Sequence, residues 1–251
     1  MNGVMPHAND GAVAAPDGGE TVSVPSASSA RYSLKDHASS SHMAILDFAG
    51  QGRGRWLLDV GVADGFLAKR LTEQGWHVAG IERDPQSAAL ARRHCKEVVV
   101  ADLNHDVPRW ERRFDLIVYG DVLEHLLSPE QVFQDLNRLL APDGTVIVSM
   151  PNIAHLWVRL MLLCGRFEYQ DRGILDRTHV KFFTLKSFRR FFEQCGIDMT
   201  KFRSVPVPLY LVVPPRFHGR WLDVLQRIHA LAACCWPGGL GYQFVAQGRR
   251  S

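Results

Sequence analysis

Leu58-Asp-Val-Gly-Val-Ala-Asp-Gly65 is the stretch from which the fold can be read. The apolar run Trp56–Ala63 reads as a buried strand that ends in a turn with two glycines four residues apart. Gly61 removes a side chain where a ligand would lie against backbone, and Gly65 lets the next helix start close to the strand. That helix is expected through Phe66-Leu-Ala-Lys-Arg-Leu-Thr-Glu-Gln74, capped by Asp64 and stopped by Gly75. The free N–H groups and positive dipole end at such a helix start suit an anion. The spacing is not that of a phosphate loop and no Lys-Ser or Lys-Thr follows, which speaks against a triphosphate. It is not G-x-G-x-x-G either, which weakens a dinucleotide reading. The plain alternative is a turn with only a structural role.

Outward from this turn, apolar runs alternate with amphipathic ones. His77–Glu82, Glu97–Leu103, Phe114–Asp121 and Thr145–Met150 read as further strands. Asp84 and Pro85 take cap and first-turn positions of a helix to Cys95. Ser128-Pro-Glu-Gln131 reads as a capping box opening a helix to Leu140, and Ala141–Gly144 as a turn. This rhythm of nearly all-apolar strands and helices predicts an α/β fold with a parallel sheet covered on both faces, doubly wound and Rossmann-like. Past Met150 the rhythm changes. Thr184 starts a helix ended by Gly196, Asp198–Val207 reads as a strand, and Tyr242–Gly248 as a final edge strand. Residues 151–183 and 206–240 are expected as lid additions over the ligand-binding edge of one domain spanning 31–251.

Composition sets outer limits. Of 251 residues, 46% are hydrophobic and 22% charged, as in an ordinary globular protein. Residues 1–30 hold no aromatic residue or large apolar cluster, so a disordered tail is expected there rather than a secretory signal. No apolar run reaches the roughly 18 residues of a membrane span. Five cysteines with no C-x-x-C pair suggest neither a disulfide framework nor a zinc site, and a reduced cytoplasmic setting fits them best. Charge is uneven: residues 1–152 carry 14 Lys and Arg against 20 Asp and Glu, whereas 153–251 carry 15 against 6. A basic half suits an acidic substrate, a nucleic acid or an anionic membrane, or is simply a solvated face. Its arginines are scattered and no nucleic-acid module is recognisable, so no nucleic acid is expected.

Each strand delivers a polar residue at its carboxyl end, where open α/β sheets bind ligands. Asp59, just before the glycine turn, suits a ligand ammonium group. Glu82, twenty-one residues after Gly61, can accept from two ribose hydroxyls. Asp102 can accept from an exocyclic adenine amine, with Leu103 against the ring. Asp121 closes the fourth strand. A single carboxylate at a strand end could be a cap; four in register are hard to explain so.

In this order and spacing, DVGVADG, GIERDP, ADLN and FDLIVYGDVLEHL resemble class I S-adenosylmethionine-dependent methyltransferases over roughly residues 42–200. The pattern is similar to the bacterial ubiquinone-biosynthesis O-methyltransferases and the methionine-biosynthesis methyltransferase-like group. The resemblance implies a seven-stranded sheet with an antiparallel final strand and S-adenosyl-L-methionine as cofactor. It implies Asp59 and Gly61 at the aminoacyl end of that molecule, Glu82 on the ribose, Asp102 on the adenine and Asp121 near the sulfonium. Ala63 stands where many relatives have a third glycine.

A second signature is Met150-Pro-Asn-Ile-Ala-His155 with Gly173-Ile-Leu-Asp-Arg-Thr-His-Val-Lys-Phe-Phe-Thr184. It resembles a subgroup that modifies glycans, lipids and secondary metabolites, so a small-molecule acceptor is expected. Methyl transfer to a hydroxyl is helped by a base, and imidazole suits that task. His179 and His155 are the candidates, His125 a weaker one, with Asp176 placed to orient His179 or hold an acceptor hydroxyl. For each histidine the plain alternative is a structural role. No Asp/Asn/His set has recognisable ligand spacing, so no metal is expected. No NPPY-like tetrapeptide follows the fourth strand, which mildly favours O-methylation. Leu156–Phe167 mixes large apolar residues with Arg159 and Arg166; a lid or dimer helix is favoured over a peripheral membrane contact. Two other classes stay open: a nicotinamide-dependent oxidoreductase on a similar sheet, and a non-catalytic cofactor-binding scaffold.

Overall fold

The computed structural model describes residues 40–251; the expected tail at 1–30 and residues 31–39 lie outside the described residues. The described residues open with α1 (Ser41–Ala49), then alternate β1 (Trp56–Val60), α2 (Phe66–Glu73), β2 (His77–Glu82), α3 (Pro85–Ala91), β3 (Glu97–Val100) and β4 (Phe114–Gly120). A 3-10 turn at Leu123–His125 leads to α4 (Pro129–Asn137) and β5 (Leu140–Pro151). The last third adds α5 (Leu156–Leu163), α6 (Leu185–Gln194), β6 (Ile197–Val205), α7 (Leu209–Val212), α8 (Arg220–Cys235), α9 (Pro237–Leu240) and β7 (Gln243–Arg250).

One seven-stranded sheet runs in the order β3-β2-β1-β4-β5-β7-β6. Its first five members pair in parallel, and β7 runs antiparallel to both β5 and β6. Both faces are apolar because successive side chains alternate. Leu57, Val78, Leu116, Val118 and Ile147 pack with Ala44, Ile45, Leu67 and Leu71 of the α1 and α2 layer. Leu58, Ile117, Tyr119 and Val148 pack with Phe133 and Leu136 of α4 and three phenylalanines of α6. Those three, Phe188, Phe191 and Phe192, are almost wholly buried. At about 1.5–3 kcal/mol each, they anchor α6 and leave its opposite face, Lys186, Arg189 and Arg190, exposed.

Several local expectations are corrected. The first strand ends at Val60, because Gly61 and Ala63 take positive φ values of 74° and 48°. The cap of α2 is Gly65 at φ 84°, with no side-chain cap bond, so Asp64 does not cap it. A Cβ at Gly65 would stand 2.9 Å from Ala91 Cα, so glycine is what lets the start of α2 lie against the end of α3. Ser128 makes no side-chain cap bond, and Ala141–Gly144 lies within β5 as an irregularity between Phe114 and Leu116 pairings rather than as a separating turn. Tyr242–Gly248 was expected at the edge; β7 lies inside the sheet and β6 forms the edge. Asp84 does cap α3, accepting from Gln86 and Ser87 N–H, and Thr184 with Ser187 closes a capping box on α6.

The segment after β5 is tied back to its own start. Buried Asn152 donates to the Gly241 carbonyl at 2.8 Å and accepts from Ala154 N–H at 3.0 Å, and it bridges Phe183.

Candidate active site

The glycine turn is fixed from the neighbouring strand. Gly61 and Val62 N–H groups both donate to the Ile81 carbonyl at 2.9 Å. Glu82 Oε2 accepts from Ala63 N–H and its Oε1 from Asp84 N–H, each at 2.9 Å, so one carboxylate clamps the turn and the entry to α3. Each oxygen keeps a further lone pair. Beneath the turn lies Asp59, 2% exposed, whose Oδ2 has no hydrogen-bond partner. Burial, with the charge of Glu82 adding to it, pushes the Asp59 carboxyl up to about 7. Asp102 is exposed; its Oδ1 accepts from Asn104 N–H at 3.0 Å, and this bond, with His105 and Arg83 nearby, holds it below the usual carboxylate range. Leu103 is buried in the core cluster. Asp121 follows β4 at φ 55°, a left-handed conformation that aspartate tolerates better than most. Ser149 of β5 receives its N–H at 3.0 Å and donates its hydroxyl to its carboxylate.

The loop carrying the second signature is stapled over this edge: Val180 and Lys181 N–H groups donate to the Glu124 carbonyl. His179 Nδ1 lies 3.1 Å from the Ile174 carbonyl, which fixes the proton on Nδ1 and leaves the lone pair on Nε2. Burial lowers its pKa; the Ile174 bond and the charges of Asp176 and Asp121 oppose this. His125 stands edge-on to it with centroids 4.7 Å apart, its Nδ1 held by the Thr178 carbonyl at 3.2 Å. Asp176 Oδ1 accepts from Thr178 N–H at 2.8 Å and Thr178 Oγ1 at 2.6 Å, so this carboxylate shapes the turn below His179. His155 caps α5: its Nδ1 accepts from Trp157 N–H at 3.3 Å, placing the proton on a buried Nε2 that has no partner. The fold therefore brings Asp121, Asp176 and His179 into electrostatic contact, while His155 senses His229 of α8 instead.

Glu124, His125 and His179 each offer one ligand atom, all within 4.8 Å of one another. One carboxylate oxygen with two imidazole nitrogens is a donor set that could hold a divalent cation. Sequence spacing did not reveal it, because Glu124 and His179 are brought together only by the loop staple.

Residues 34–201 match the family described as methyltransferase domain, two thirds of the chain. The chain belongs to this family. It is a class I S-adenosylmethionine-dependent methyltransferase, and its cofactor is S-adenosyl-L-methionine. It is 28% identical over 174 residues to the ubiquinone biosynthesis O-methyltransferase of Aeromonas salmonicida, covering 65% of this chain and 72% of that one. The corresponding protein of Cupriavidus pinatubonensis is 29% identical over 161 residues, covering 61% and 64%. The chain thus spans about two thirds of the length of these curated relatives. The fold matches 1,6-didemethyltoxoflavin-N1-methyltransferase of Burkholderia thailandensis, solved with 1,6-didemethyltoxoflavin and S-adenosylhomocysteine bound, with a TM-score of 0.55 at 18% identity over 86% of this chain and 80% of that one.

The residues of this methyltransferase suit that cofactor. A buried carboxylate oxygen without a donor, Asp59 Oδ2, is what an α-ammonium group would complete. Three residues that the sequence reading missed support the site. Ser149 holds Asp121, Glu124 faces the histidine pair, and the Tyr242 hydroxyl accepts from the backbone N–H of Ile174, the residue whose carbonyl orients His179. Tyr242 is partly buried, and burial around its hydroxyl pushes that group up to about 12. Glu124 lies inside the motif around Asp121 and Ser149 just before the second signature, but Ser149 and Tyr242 are 28 and 121 residues from Asp121 in sequence, and no local signal ties them to it.

Proposed function

We propose that this methyltransferase methylates a hydroxyl of a small molecule, a glycan, lipid or secondary metabolite, with His179 as base. The observation that carries this is His179 itself: a neutral imidazole with its lone pair on Nε2, in the field of Asp121 at the end of β4. Bound S-adenosylmethionine supplies an activated methyl group on sulfur. On the cofactor side, Asp59 and the Gly61–Gly65 turn receive the amino-acid end, Glu82 the ribose, and Asp102 and Leu103 the adenine. Asp121 lies towards the sulfonium. On the acceptor side, His179 Nε2 takes the hydroxyl proton as the oxygen attacks, Asp176 shapes its loop, and His155 orients α5. The segments 151–183 and 206–240 form the acceptor side of a single domain. The relatives named as O-methyltransferases support the oxygen as acceptor atom.

α5 exposes Trp157, Leu160, Leu162 and Leu163, which supports a contact of segment 156–167 with a membrane surface or a second copy. No described helix is long and apolar enough to cross a membrane; a cytoplasmic setting is part of the proposal, and five free cysteines fit it. Calorimetry with S-adenosylhomocysteine, followed by a methyl-release screen over phenols, sugars, carboxylates and lipid-linked acceptors, tests the reading. Absence of any affinity for S-adenosylhomocysteine overturns it.

A second reading rests on the Glu124–His125–His179 donor set. A divalent cation there would occupy Nε2 of His179, so it could not also serve as base. Turnover lost to a chelator and restored by added cation favours this reading; turnover that survives chelation favours the base.

A further inference from the structure

A cavity of about 630 Å³ opens beside the first turn of α6, and none of the strand-end carboxylates lines it. It is lined by Arg159, Lys186, Arg189 and Arg190 with a single acid, Glu193. Among the described residues no ion pair involves any of the four cations. Lys186, Arg189 and Arg190 stand three and four residues apart on one helix, so like charges share one exposed face, an arrangement that costs stability in the absence of a counter-charge. Arg159 reaches the same cavity from α5, held by two carbonyls: its Nε donates to Ala154 at 2.6 Å and its Nη2 to Gly238 at 3.2 Å. Its remaining donors are thereby preorganised. The first-turn N–H groups of Leu185 and Lys186 precede the intrahelical ladder and lie at the positive end of the α6 dipole. The groove continues past Arg189 and Glu193 into a further space of about 310 Å³ beside β6.

We propose that this cavity binds a phosphoryl group carrying two or more negative charges. Three features converge on that chemistry. Guanidinium forks match phosphate oxygens in pairs, a helix start presents backbone donors, and four cations outnumber one carboxylate. The volume exceeds that of one phosphate, so a diphosphate fits as well as a single group. Apolar Leu185 and Ala154 on the wall leave room for the organic part of a phosphorylated molecule. The site is independent of the cofactor crevice, and the phosphoryl group could arrive on a dissolved molecule or a lipid headgroup.

Calorimetry with inorganic pyrophosphate, with and without S-adenosylhomocysteine, tests the proposal on the wild type, the double variant Lys186→Ala/Arg190→Ala, and Arg159→Ala. One pyrophosphate site is expected, unaffected by S-adenosylhomocysteine and weakened about tenfold or more in both variants, with S-adenosylhomocysteine affinity unchanged. Flotation with vesicles of phosphatidylcholine alone or with phosphatidic acid separates the sources. Retention on the acidic vesicles that both variants lose assigns a lipid headgroup; pyrophosphate binding without retention assigns a dissolved ligand. The proposal is overturned by no binding in either assay, by binding that both variants retain, or by pyrophosphate that S-adenosylhomocysteine displaces. Absence of S-adenosylhomocysteine affinity alone would sink the proposed hydroxyl methylation and leave this proposal standing.

Discussion

Ser149 grips Asp121 twice: its oxygen accepts the Asp121 backbone N–H at 3.0 Å, and its hydroxyl donates to the Asp121 carboxylate. Ser149 is fully buried on β5, and Asp121 has left the strand in a left-handed conformation. The two bonds hold the carboxylate at the end of β4 and satisfy an N–H that the strand no longer pairs. Ser149→Ala removes both, leaving a donor short of its partner at a cost of about 1–3 kcal/mol. The expected result is a lower Tm together with a fall in turnover, because Asp121 loses its fixed direction. Equal Tm and turnover in variant and wild type would remove this contact from the site's support.

Ala63 occupies a position better suited to glycine. Its φ of 48° places a Cβ in the left-handed region, while its N–H is held by Glu82 at 2.9 Å. Such a conformation costs an alanine roughly 1–2 kcal/mol, part of which glycine returns as unfolded-state entropy. Ala63→Gly is therefore expected to raise Tm by a few degrees without weakening S-adenosylhomocysteine binding. A lower Tm would mean that the Ala63 methyl makes a contact worth more than the backbone strain.

Asp59 sets stability and binding against each other across neutral pH. Its carboxyl is raised from 3.8 to about 7, so the folded state holds a proton that the unfolded chain has released. Stability from this group is greatest below about 4, falls as pH rises to about 7, and is level above it. Asp59→Asn is expected to stabilise the cofactor-free protein at pH 8, by at most about 4 kcal/mol, and to leave it unchanged at pH 4. The carboxylate form is the one that receives an ammonium group, so wild-type affinity for S-adenosylhomocysteine should rise from pH 6 to 8. The variant should bind at least about tenfold more weakly at pH 8. Thermal melts and calorimetry over that range read both slopes, and affinity flat with pH would place the ammonium elsewhere.

What the sequence made legible was local. The glycine turn and the strand-end acids are marked by the residues immediately around them, and the Asp84 and Thr184 caps lie within three residues of their partners. The place of β7 depends on pairing, which has no local signal in its length. It does have one in its pattern: Phe244, Val245 and Ala246 are all buried, as in a strand covered on both faces, whereas β6 carries Lys201 and Arg203, typical of an edge. Ser149, Glu124 and Tyr242 could not be found the same way. Their partners come from other strands and loops, and a lone serine or tyrosine in an apolar run reads as packing.

His179 is the residue whose replacement bears most on mechanism. Its Nδ1 proton is committed to Ile174, and burial keeps the ring neutral below its ordinary value of 6.5 despite Asp176 and Asp121. The base form therefore persists into mildly acidic solution, and the acid limb of the kcat/KM profile is expected below pH 6.5. Stability follows the same sign. A histidine with a lowered pKa takes up protons more readily when unfolded, so stability falls as pH drops through 6.5 and below. His179→Ala should cut kcat by about 10²–10⁴-fold, flatten that limb and leave S-adenosylhomocysteine affinity within twofold. His179→Gln retains a hydrogen-bonding group but no titrating one, so it separates orientation of the loop from proton transfer. Should the glutamine variant turn over like the wild type on the true acceptor, His179 is a structural pin and the proton leaves by another route.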